Sequence, residues 1–72
     1  MMCVNSKGAA QLLGVTTMTV WRWCMSRRLH SFPYAIFTMI PLRDIAKELG
    51  TTQRELLKEA DAYNIPVWRC KG

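Results

Sequence analysis

A glycine and a threonine two positions apart, Gly14 and Thr16, constrain this chain more than any other pair of residues. Gly stops a helix by entering the left-handed region that other residues resist, and Thr caps the next helix by accepting from an amide of its first turn. Ser6 is the expected cap of a first helix that holds Lys7 to Leu13, and Thr16 opens a second that runs to about Arg28. With only Gly14 and Val15 between stop and start, the two helices must cross steeply. They then close a small core from Ala10, Leu13, Val15, Val20 and Trp23.

The same grammar returns 36 residues later, where Ala46, Leu49, Gly50 and Thr52 take the places of Ala10, Leu13, Gly14 and Thr16. Pro41 suits the first turn of a third helix that ends at Leu49. Thr52 and Glu55 form a capping box for a fourth, which runs to about Tyr63 and is stopped by Asn64 and Pro66. Trp23 maps onto Glu59, so the second pair needs a different buried stripe, expected at Leu56, Ala60 and Tyr63. Duplication and packing necessity both account for the shared pattern.

Between the two pairs, residues 29–40 (LHSFPYAIFTMI) are rich in aromatic and β-branched types and have no helix cap. They read as two short strands with a turn near Ser31 to Tyr34, where Pro33 supplies a fixed φ. The expected fold class is mainly α with a short β-hairpin, about four short helices in a single domain over residues 1–72. Its parts are a helix pair over 6–28, the hairpin over 29–40, a second helix pair over 41–64 and a tail over 65–72. Half of the 72 residues are hydrophobic and 21% charged, a globular composition. A chain of this size buries only about 60% of the surface its unfolded form exposes, which leaves no room for a second, catalytic domain.

Charge is distributed unevenly. Ten Lys and Arg against five Asp and Glu give +5. Lys7, Arg22, Arg27, Arg28 and Arg43 precede the first acid, Asp44, and the five acids after residue 43 meet five bases, Lys71 among them. All of the net charge therefore belongs to residues 1–43, and a phosphate-attracting surface belongs there too. Asp44 and Lys47 read as an i, i+3 surface pair in the balanced half.

The phase of the second helix sorts its side chains. Val20, Trp23 and Cys24 form an inner stripe, which leaves Thr17, Met18, Trp21, Arg22, Met25 and Arg28 on the opposite face. Two readings of that face stand open: Trp21 and the methionines pack under a later segment, or they meet a partner.

Three cysteines, Cys3, Cys24 and Cys70, with no C-x-x-C spacing make a disulfide framework an unfavourable reading and point to a reducing cytoplasm. Cys24 and His30 lack a second pair to complete a tetrahedral zinc site, so no metal and no cofactor is expected. The start of the chain does not read as a signal peptide, and the longest apolar stretch, 32–42, is too short and too interrupted by Pro33, Thr38 and Pro41 to span a bilayer. His30 is the only histidine, no Ser or Cys has a visible base partner, and an enzyme is not expected.

Residues 9–23, AAQLLGVTTMTVWRW, resemble the helix-turn-helix of the MerR and phage-excisionase superfamily. The resemblance rests on A-x-x-L-G-V at 10–15 and T-x-x-T-V-x-R-W at 16–23; the strand-like segment and I-P-L-R-D-I-A at 40–46 look like that family's wing and next helix. It implies a winged helix-turn-helix with the second helix in the major groove and the wing on the backbone or minor groove. Thr16, Thr17, Trp21 and Arg22 would meet DNA, with Arg27 and Arg28 near phosphates. The chain departs from the family pattern at Arg28, where Gly is common, and at the hairpin tip, Ser31-Phe32-Pro33-Tyr34, where the family's wing is basic and Gly-rich. Residues 42–67 also look like a small helical module of bacterial translation initiation factor two, a similarity carried mostly by helix grammar.

The residue chemistry leads to the same expectation by its own route. Arg22 can pair with guanine, Thr17 or Met18 can contact a thymine methyl, and Lys7 and His30 add to the basic half. The expected function is a small sequence-specific DNA-binding protein of phage or plasmid type, either a recombination directionality factor or a transcription regulator. One short recognition helix reads few base pairs, so self-association, a cooperative row on DNA or a larger recombinase or regulator partner is implied. The competing reading is a protein-interaction module or small inhibitor that uses Trp21, the methionines and the hairpin. A third is single-stranded RNA binding, with Trp21, Phe32 and Tyr34 stacking on bases.

Overall fold

The computed structural model describes residues 1–70, in the order β1 (Met2–Asn5), α1 (Ser6–Leu13), α2 (Thr17–Met25), β2 (Phe32–Tyr34), β3 (Phe37–Pro41), α3 (Leu42–Leu49), α4 (Gln53–Ala62) and β4 (Trp68–Arg69). All four helices stop by one device. The residue after the cap region turns left-handed, and the next amide reaches back five residues to an orphan carbonyl. Thus Val15 N–H donates to the Ala10 carbonyl at 3.0 Å, Arg28 to Trp23 at 2.9 Å, Thr51 to Ala46 at 2.9 Å and Ile65 to Ala60 at 2.8 Å. The left-handed residues are Gly14, Arg27, Gly50 and Asn64, with φ of 72°, 65°, 67° and 56°.

Arg27 in that role ends the second helix at Met25, short of the expected Arg28. The first helix is capped by Asn5 and not by Ser6: Asn5 Oδ1 accepts from Gly8 N–H at 2.8 Å, and Ser6 is the first helical residue. Thr16 and Thr52 cap α2 and α4 as their spacing predicts, each accepting from the amide three residues on, Thr19 and Glu55, at 3.2 Å.

The strands form one curled antiparallel sheet in the order β2-β3-β1-β4. The hairpin turn lies at Ala35 and Ile36, beyond the expected Ser31 to Tyr34, because Tyr34 pairs with Phe37 and Pro33 sits inside β2 opposite Thr38. Pro is tolerated there since β2 is an edge strand that needs no outer donor. Ala35 takes a φ of 56°, as the tight primed turns of hairpins demand. β1 and β4 were not expected. β1 pairs Val4 with Ile40 and Cys3 with Trp68, which makes it an interior strand of the sheet.

Residues 65–70 are accordingly not a tail, since Ile65 and Cys70 are buried and Trp68–Arg69 is a strand; Lys71 and Gly72, the rest of that expected tail, lie outside the described residues. Alternation along the strands builds two apolar clusters. Val4 and Ile40 face the helices and join Ala9, Ala10, Leu12, Val20, Leu29, Leu42, Ile45, Leu56, Ala60 and Ile65 in the main core. Cys3, Met39 and Cys70 face the other way and are covered by Phe32 and Trp68. In α4 the buried stripe is Leu56 and Ala60 with Leu57 partly covered; Tyr63, expected inside, is exposed because the helix has reached its cap there.

Candidate nucleic-acid interface

Helical phase delivers α2's two faces as its residue pattern predicts. Val20 is fully buried, with Trp23 and Cys24 packed partly against the same core. On the opposite face Met18 and Trp21 are 58% exposed and Met25 is 65% exposed, with Thr17 and Arg22 exposed beside them. Among the described residues no later segment covers Met18, Trp21 or Met25. Among the described residues no carboxylate pairs with Lys7, Arg22 or Arg27.

Thr16 spends its hydroxyl on the helix end, accepting from Thr19 N–H and lying 3.0 Å from the Thr19 hydroxyl. α2 has no acid in its first turn and Arg22 in its last, so no negative side chain offsets the partial positive charge of its leading amides. Beside this face runs an apolar groove of about 440 Å³ lined by Ser6, Thr17, Met18, Trp21, Cys24 and Thr38. Ser6 brings the start of α1 to this groove, while the exposed Lys7 lines a separate cleft with Gln11, Asn64 and Pro66.

Two of the expected basic residues are committed elsewhere. The Arg28 guanidinium lies 4.2 Å above the Trp23 ring and forms an ion pair with Glu48 on α3. His30 is held by Asp44: its backbone N–H and its Nδ1 lie 2.7 and 2.6 Å from Asp44 Oδ2. Its ring remains 81% exposed, but the partner carboxylate, 13% exposed, offsets any charge the ring would offer a phosphate. These contacts replace the expected Asp44–Lys47 pair; Asp44 meets His30, and Arg43 at 3.9 Å, because the chain leaving α2 passes directly over the start of α3. They act as a latch between the end of α2 and α3.

The residues that share one open surface are therefore Thr17, Met18, Trp21 and Arg22, with Thr16 at the start of the helix; Lys7 and Arg27 line other clefts, the first with Gln11 and Asn64, the second with Arg28 and Glu48. The hairpin carries a separate exposed apolar tip, with Ile36 91% exposed. Among the described residues no group of three His, Cys, Asp or Glu comes together as a metal site. No helix there is long and apolar enough to cross a membrane. No protein-family model matches the chain, and no curated protein or solved structure matches it either.

Proposed function

We propose that this chain binds duplex DNA through the outer face of α2, with α1, the Gly14 turn and α2 serving as a helix-turn-helix and β2–β3 as its wing. The observation that carries the reading is the face itself: Thr17, Met18, Trp21 and Arg22 are exposed together in the half of the chain that holds all of the net charge and no acid before Asp44. In that arrangement Arg22 reads guanine O6 and N7 with its fork, Met18 and Thr17 contact thymine methyls, and the leading amides of α2 approach a phosphate. Lys7 and Arg27 neutralise flanking phosphates and release counterions, which gives affinity with a steep salt dependence. Arg28 and His30 act through the latch and hold α2 at its angle.

A phage- or plasmid-type role, as recombination directionality factor or transcription regulator, requires no chemistry beyond this, and no catalytic group or cofactor is invoked. A single nine-residue helix reads few base pairs, so the protein works as a self-associated or cooperative assembly or beside a larger recombinase or regulator. A reducing cytoplasm suits its three free thiols. The second reading, a protein-interaction module, is favoured by the exposed Met18, Trp21 and Met25 beside an apolar groove.

Selection from a random duplex pool separates the two. DNA binding predicts enrichment of a short sequence, with log affinity falling linearly against log salt. Failure to enrich any sequence, with binding that vanishes at moderate salt, would sink the proposal in favour of a protein partner.

A further inference from the structure

Cys3 and Cys70 stand on β1 and β4, on the face of the sheet turned away from the helices. Cys3 is opposite Trp68, so Cys70, two residues on, is its diagonal neighbour on the same face. Their sulfurs are 2.8 Å apart and both side chains are buried, covered by Met39, Phe32 and Trp68. The Cys70 N–H donates to the Met1 carbonyl at 2.8 Å, which holds the second cysteine in register. A disulfide needs its sulfurs at about 2.05 Å, so closure requires a movement of less than about 1 Å. Cys24, in contrast, packs against the main core on the helix side and has neither sulfur near it.

We propose that Cys3 and Cys70 are a redox-responsive pair that closes to an intramolecular disulfide by exchange with a low-molecular-weight disulfide, stapling β4 to β1. One protein thiolate attacks a sulfur of the reagent R–S–S–R, forms a mixed disulfide and expels RS⁻. The second thiolate then attacks the protein sulfur of that mixed disulfide and expels another RS⁻. The two thiol protons end on the two RSH products; the protein is oxidised by two electrons and the reagent reduced by two.

β4 is only two residues long and lies at the sheet edge, so its opening admits the reagent. Burial, together with the neighbouring Cys70 thiol, pushes the Cys3 thiol up to about 11. Attack by the Cys3 sulfur at neutral pH is therefore slow, and its rate keeps rising well above pH 9. Under reducing conditions the pair stays open and β4 is held by its few backbone bonds; once closed, the bridge joins residues 67 apart and restricts the unfolded chain.

The test uses the full chain, incubated folded with oxidised glutathione at mildly alkaline pH. The expected product has lost two hydrogens, maps to a Cys3–Cys70 link with Cys24 free, melts on the order of 10 °C higher and reverts with a reductant. Cys24→Ser closes like the parent, and Cys70→Ser gains no internal link. A glutathione adduct that persists on Cys3 or Cys70, a bridge that includes Cys24, a covalent dimer, or a closed product that melts no higher than the open one overturns the proposal. Mapping on the parent chain decides the matter even if Cys70→Ser does not fold.

Discussion

Arg27 is the residue at which local stability and the proposed activity pull apart. Three of the four left-handed helix ends use Gly or Asn, residues that adopt positive φ at little cost, while the fourth uses a β-carbon-bearing cation at φ 65°. That conformation costs a residue such as Arg about 1 kcal/mol relative to Gly. Arg27→Gly is therefore expected to raise the melting temperature by about 4 °C, measured by thermal unfolding. If Arg27 meets a phosphate, the same variant lowers duplex affinity and flattens the salt dependence by about one counterion. A stabilised variant with unchanged affinity would remove Arg27 from the interface. Arg28 belongs to a different account, since its charge is shared between Glu48 and the Trp23 ring. The exposed ion pair and the cation–π contact both serve the latch.

Among the elements, α1 is the hub, packed against α2, α3, α4 and the sheet. Its close approach to the chain after α4 depends on Gly8. A β-carbon there would lie 2.8 Å from Ile65 Cγ2 and 3.2 Å from Val4 Cβ, both in the core. Gly8→Ala gains about 1 kcal/mol of helix propensity but must displace Ile65. Overpacking costs typically 1–3 kcal/mol, so a net loss of about 1 kcal/mol is expected in urea unfolding; a gain in stability would show that Ile65 moves freely. This packing role could not be read from the residue's neighbours, because Val4 and Ile65 lie far from each other along the chain. The same distinction governs the other elements. Helix bounds at Gly14, Thr16, Gly50 and Thr52 are legible because stops and caps act within five residues. Arg27 hid the end of α2, since a basic residue is no stop signal, and Ala35 hid the hairpin turn, since it is not the Gly that such a turn favours. β1 and β4 exist through partners far away in sequence, and a strand of two to four residues leaves too short a pattern to recognise.

For the molecule as a whole, the sheet and the helices divide the labour. β1 joins β3 to β4 and completes a platform whose helix-facing residues, Val4 and Ile40, help to support the α1–α2 pair. The latch from Arg28 and His30 to Glu48 and Asp44 ties the exit of α2 to α3. The outer face of α2 stays open in the basic half, as the hairpin tip does, and that helical face follows from helical phase and charge position alone. The diversion of Arg28 and His30 to carboxylates does not, because their partners lie 20 and 14 residues away. The central claim, that this face reads DNA, predicts unequal effects from two exposed arginines of equal charge, Arg22 on α2 and Arg54 on α4. The most direct measurement is the affinity of a selected duplex for the parent chain, Arg22→Ala and Arg54→Ala at one fixed salt concentration. Arg22→Ala is expected to weaken binding roughly tenfold to a hundredfold, in line with about 1–3 kcal/mol for a bidentate base contact, while Arg54→Ala stays within about twofold of the parent. Equal losses in the two variants would contradict the account and reduce the +5 charge to a general attraction for phosphate.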